Sequence, residues 1–155
     1  MRKVHAAVAL CAAATVVVAA ASGAAAKGPE KVHGKIAVYA TPTNTTDPTT
    51  SKTKTTSVTV TGKLKTRGTC LGGRKVEFIY VTPAGSTPLT ETASTARNGK
   101  FTATLPAPAG ITSKQNGTAV TVSATAPQVS RRDKDSGEKV RCLEASGIND
   151  FSVAV

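Results

Sequence analysis

Cys70 and Cys142 are the residues whose chemistry is most directly legible, because the third cysteine, Cys11, lies in a segment expected to be removed. Residues 1–26 carry Arg2 and Lys3, an apolar run from Ala6 to about Ala21, and Ala24-Ala25-Ala26 ahead of Lys27. A charged start, an apolar centre and small residues for the peptidase describe a cleavable secretory signal. A retained anchor needs roughly 20 strongly apolar residues, and this run is mostly Ala. A lipid anchor needs a cysteine at the end of the apolar run, whereas Cys11 sits near its start. In an exported chain two thiols pair, so a Cys70–Cys142 disulfide is expected. Closing that loop stabilises the fold by about 4 kcal/mol in the chain-entropy model. Zinc is the weaker alternative, because two thiolates make no cage and His33 is the one histidine outside the signal.

Catalytic chemistry finds little support. A nucleophile needs a base beside it, and His33 falls in a polar leader while both cysteines are expected to be oxidised. Glycoside hydrolysis needs two acids across a cleft, and Glu77 is the one acid in a clear strand, on the same polar face as Lys75. No catalytic, cofactor-binding or metal-binding residue is assigned, and no cofactor is implied. Asp133 to Glu138 places oxygen ligands at alternate positions, like part of a calcium loop. It lacks a third Asp or Asn before the glycine, and Arg131, Arg132 and Lys134 oppose a cation, so a solvated loop is the expectation. A Lys63–Asn149 isopeptide bond beside Glu77 is conceivable, but nothing in their apolar context singles these residues out.

The basic residues are the best lead. Loss of the first 26 residues leaves 129 with a charge near +9, one domain with enough chain for a real core. Lys63, Lys65 and Arg67 run from a strand into the Cys70 loop, and Arg74 with Lys75 leaves it; Lys52 and Lys54 precede the same strand. These five, Lys63, Lys65, Arg67, Arg74 and Lys75, are expected to converge at one end of the domain as a patch for an acidic ligand. The competing explanation is a solvated strand face, with Lys guarding an exposed edge against aggregation. Nucleic acid is disfavoured, since stacking platforms need aromatics and the chain has Tyr39, Tyr80 and three Phe. The same shortage counts against a lectin that stacks sugars. Thr-x-Thr pairs (Thr59/Thr61, Thr90/Thr92, Thr102/Thr104) could suggest an ice-binding face, although Thr on solvated strands accounts for them better.

These residues must be positioned by short strands. After a polar leader, Lys27 to Lys35, the first strand is expected at Ile36–Ala40. Thr41 to Ser57 has no apolar period, and nine of its 17 residues are Thr, so it reads as a mobile loop or linker. Residues 27–57 thus precede the main domain, 58–155, which the strand near 35–40 is expected to join. From Val58 the period becomes two: Val58, Val60 and Leu64 face one way, and Gly62 suggests a bulge. Val76/Phe78/Tyr80, a weaker edge strand over Leu89–Ala96, Phe101/Ala103/Leu105, Val120/Val122/Ala124 and Phe151/Val153/Val155 follow. Asn98-Gly99 is a tight turn, and Ser130 to Arg141 reads as a charged loop. About seven strands and no helix outside the signal make the fold class an all-β sandwich.

The order Val60-Thr61-Gly62-Lys63-Leu64, Cys70, Gly73-Arg74-Lys75-Val76, Asn98-Gly99-Lys100-Phe101 and Cys142 before a last strand resembles the small secreted Ig-like domains. It has the transthyretin-like, or carboxypeptidase-regulatory-like, flavour common in exported actinobacterial proteins. The resemblance covers about Val58 to Val155 and implies a seven-strand β-sandwich with no assigned activity. It departs from antibody-type domains in having no Trp, and in placing Cys70 in a loop that the bridge would pin to the Cys142 segment. The expected function is therefore a secreted, non-catalytic binding or structural module, at the cell envelope or outside it. Its partner would be an anionic cell-wall polymer met through the basic patch. The alternative is an accessory or inhibitor-like module contacting a secreted or surface protein. No transmembrane anchor is expected after processing.

Overall fold

The computed structural model describes residues 28–111 and 116–155, and the expected signal segment lies outside the described residues. Among the described residues the chain is all-β, with ten strands rather than seven and a single 3-10 turn at Gly68–Cys70. The strands are β1 (Glu30–Val32), β2 (Lys35–Thr46), β3 (Thr53–Lys65), β4 (Lys75–Thr82), β5 (Gly85–Ser94), β6 (Lys100–Pro106), β7 (Ala119–Ala126), β8 (Val129–Arg132), β9 (Lys139–Cys142) and β10 (Ala145–Ser152). They form three sheets, ordered β2-β3-β6, β10-β7-β4-β5 and β1-β9-β8.

The first two sheets share one core. Period-two alternation turns Val58, Val60 and Leu64 of β3 inward with Phe101 and Leu105 of β6, against Val76, Phe78 and Tyr80 of β4 and Val120, Val122 and Ala124 of β7. Gly62 shares that inward face and carries no bulge: it lies opposite Val38 and Phe101 in regular register. A Cβ there would collide with the Phe101 ring and the Ala37 carbonyl, so the glycine lets the ring cross the strand. The irregularity of this sheet falls instead between Thr43 and Asn44. Tyr80 joins the two sheets by donating its hydroxyl to the Pro106 carbonyl at 3.0 Å. Along another edge the Ala40 amide donates to Asn149 Oδ1 at 2.9 Å. Gly147 there lies so close to the Ile36 carbonyl that a side chain would not fit.

Two expected loops and part of the expected polar leader are strands. Most of the Thr-rich stretch continues β2 and β3 as a long hairpin, closed by a turn in which Asp47 accepts the Thr49 and Thr50 amides. Its threonines lack an apolar period, but strand pairing needs only backbone groups and residues that suit an extended chain. Thr55 is buried there, because its hydroxyl donates to Asn44 Oδ1 and accepts the Ala154 amide, fastening the C-terminal segment. In the leader, Glu30–Val32 pairs in parallel with β9. The charged loop is the β8–β9 hairpin, whose Val140 is buried with Val32, Cys70 and Cys142 in a second, small core.

Candidate functional site

The Cys70–Cys142 disulfide is present and ties the 3-10 turn to β9. Around it the expected five-cation patch comes apart. Arg74 is 2% exposed, so it cannot meet an external ligand. Its Nη2 donates to the carbonyls of Ala126 at 3.0 Å, Pro127 at 2.6 Å and Leu143 at 3.2 Å, joining the ends of β7 and the β9–β10 connection. Burial, and secondarily the Arg131 guanidinium, push its pKa below the usual arginine value, yet a guanidinium remains charged. Nothing in sequence separates such an arginine from a surface one.

Lys75 is exposed but lies on the outer face of β4, in the other sheet, 3.0 Å from Glu77. Arg67 pairs with Glu30 at 2.6 Å and approaches Asp133 at 3.9 Å. It lines a cleft of about 1030 Å³ with Thr69, Gly72, Arg97, Arg131 and Asp135, among others. Arg131 is engaged there by the carbonyls of Thr69, Gly72 and Gly73. Asp133 is 5% exposed. It accepts the Thr69 hydroxyl and the amides of Asp135 and Ser136, bonds that hold its pKa down at about 2. Its oxygens close a hairpin turn and anchor the Cys70 loop. Among the described residues no set of three His, Cys, Asp or Glu gathers that could hold a metal ion. Lys63, Glu77 and Asn149 do not meet, since Glu77 is on the other sheet's outer face and Asn149 faces the Ala40 amide.

Lys63 and Lys65 instead find partners that the sequence did not single out. Register places Lys65 directly opposite Lys35 on β2, and Lys63 directly opposite Lys100 on β6. All four are exposed on the outer face of the β2-β3-β6 sheet. Cross-strand neighbours stand ~5 Å apart at Cβ and successive outward rows ~7 Å apart, so four cations share a small area. No Asp or Glu occupies an outward position of these three strands beside them, and no carboxylate among the described residues pairs with any of the four. The face continues as a row of Tyr39, Thr61 and Thr102, then a row of Thr41, Thr59 and Thr104. Tyr39 is 66% exposed. The alternation of buried Ile36 and Val38 is the signal that sends Lys35 and Tyr39 outward. Lys100 was hidden by its place beside the Asn98-Gly99 turn.

Among its described residues the molecule is thus all-β and disulfide-bonded, with a basic, acid-free face on the β2-β3-β6 sheet, and no helix there is long and apolar enough to cross a membrane. Comparison with protein-family models, with curated proteins and with solved structures gives no significant match.

Proposed function

We propose that this chain is an exported, non-catalytic binding module, Ig-like in architecture, that holds an anionic polymer of the cell envelope or extracellular space on the outer face of β2-β3-β6. The observation that carries the reading is the position of Lys63 and Lys65 on β3, the central strand of its sheet. Edge protection explains lysines on edge strands, and β3 has a neighbour on each side. Like charges placed directly opposite are destabilising in a sheet, so two such pairs side by side favour a function that needs them. The signal-like N-terminus and the disulfide support export.

Retention on an envelope fraction, washed through a salt gradient, tests this. Wild type is expected to elute at moderate salt, and Lys63→Glu/Lys65→Glu/Lys100→Glu at the lowest salt. Lys75→Glu, on the opposite sheet, is expected to elute with wild type. Unchanged retention of the triple variant contradicts the proposal.

A second reading, a protein–protein module, is favoured by the outer face of the other sheet. Ile148 is 70% and Val81 41% exposed there. Retention that persists at about 1 M salt, where the Debye length is ~3 Å, and is lost in Ile148→Asp would support it.

A further inference from the structure

We infer that the polymer held on the β2-β3-β6 face is an acidic polysaccharide, read through Tyr39 as well as through charge; this rests on the binding role proposed for that face. Tyr39 occupies the outward row next to the Lys63–Lys100 row, with Thr61 beside it on β3 and Thr102 one strand further on β6. Its neighbours along the same face of β2 are Ala37 and Thr41, both small. A large amphipathic ring therefore stands at 66% exposure next to small side chains that carry methyl and hydroxyl groups. Leaving an aromatic ring in water forgoes burial, and the core a few ångströms away accepts Phe78, Tyr80, Phe101 and Phe151.

The chemistry that such a row fits is a sugar ring. The axial C–H bonds of a pyranose carry partial positive charge, and they complement the negative face of an aromatic ring. Thr61 offers a hydroxyl donor and acceptor beside it, and Thr102 offers another one strand further along the row. One row further, ~7 Å along the strands, Lys63 and Lys100 meet a carboxylate or sulfate, and Lys35 and Lys65 meet the next. A polyphosphate chain would use the lysines and leave Tyr39 idle. The ring is thus the feature that distinguishes an acidic sugar polymer from other polyanions.

The test compares the affinity of the disulfide-bonded protein for polygalacturonate and for long-chain polyphosphate at matched ionic strength. Wild type, Tyr39→Ala, Tyr39→Phe and Lys63→Glu/Lys100→Glu are measured, with thermal melts confirming that the surface variants fold. Tyr39→Ala is expected to weaken polygalacturonate binding about tenfold, the scale of one aromatic contact residue. It should change polyphosphate binding less than about twofold. Tyr39→Phe keeps both affinities, and the double lysine variant loses both. Equal affinities of wild type and Tyr39→Ala for polygalacturonate overturn the sugar inference, while loss of both ligands in the lysine variant leaves the basic face standing. Failure of wild type to bind either polymer overturns the two together.

Discussion

Lys63 on β3 faces Lys100 on β6 across one rung of the sheet, and both side chains are exposed. In a fold that places Thr59 opposite Thr104 and Thr61 opposite Thr102 along the same strands, the next outward rung is a pair of like charges. Replacing Lys100 by Thr would put a neutral residue opposite Lys63 and remove the repulsion. The substitution is expected to raise stability by about 0.5 kcal/mol at low ionic strength, and the gain should shrink at about 1 M salt. Urea denaturation at two salt concentrations measures it. The same variant should bind polyanions more weakly, so stability and binding move in opposite directions.

Arg74 belongs to the frame. Three carbonyls converge on its Nη2, and its Nε is buried without a partner. Arg74→Ala removes the donor that those carbonyls share in the interior, and about 3 kcal/mol of stability is expected to go with it. Arg74→Lys should recover little, because an ammonium on a flexible stem does not reproduce the planar fork. Denaturant unfolding of both variants checks this. Wild-type stability in Arg74→Ala would show that the carbonyls find water instead.

The bridge closes a sequence separation of 72 residues. Cys70→Ser/Cys142→Ser is expected to cost about 4 kcal/mol if the chain-entropy account holds. The loss should be felt first in β1, β8 and β9, whose small core is Val32, Cys70, Val140 and Cys142 with Val129 packed against it. Amide hydrogen exchange should show those strands opening while β3, β4 and β7 stay protected.

Acid should weaken the same end of the molecule. The Thr69 hydroxyl, then the amides of Ser136 and Asp135, and more weakly Arg67, favour the charged carboxylate of Asp133 and lower its pKa to about 2. An unfolded Asp titrates near 3.9. A group whose folded pKa is depressed contributes fully above the unfolded value and loses that contribution as pH falls to the folded one. Asp133 therefore supports the fold above about pH 4, and its support fades between about pH 4 and pH 2. Asp133→Asn should flatten the stability profile in that window. A profile identical to wild type would remove Asp133 as the cause.

Strong alternation made the core legible from residues alone. Val58/Val60/Leu64, Val76/Phe78/Tyr80, Phe101/Leu105 and Val120/Val122/Ala124 all face inward, and Cys70 is paired with Cys142 as expected from the cysteine count. The segments misread as loops share a different physics. Thr41–Thr46, Thr53–Ser57, Ser130–Arg132 and Lys139–Arg141 are paired through backbone hydrogen bonds, with few apolar side chains to announce an inner face. Register, which is a long-range property, decided the site. Proximity in sequence grouped Lys63 and Lys65 with Arg67, Arg74 and Lys75, whereas pairing groups them with Lys35 and Lys100. Whether an arginine lies on the surface or under three carbonyls depends on loops distant in sequence, so Arg74 was not separable from its neighbours.

Mapping amide chemical shifts while a short polyphosphate is titrated in tests the central claim most directly. Lys35, Lys63, Lys65 and Lys100 and their strand neighbours on β2, β3 and β6 are expected to move together and to return as salt is raised. Shifts centred on the cleft around Arg97 and Arg131, or on the face bearing Lys75, would contradict the basic sheet face as the binding surface.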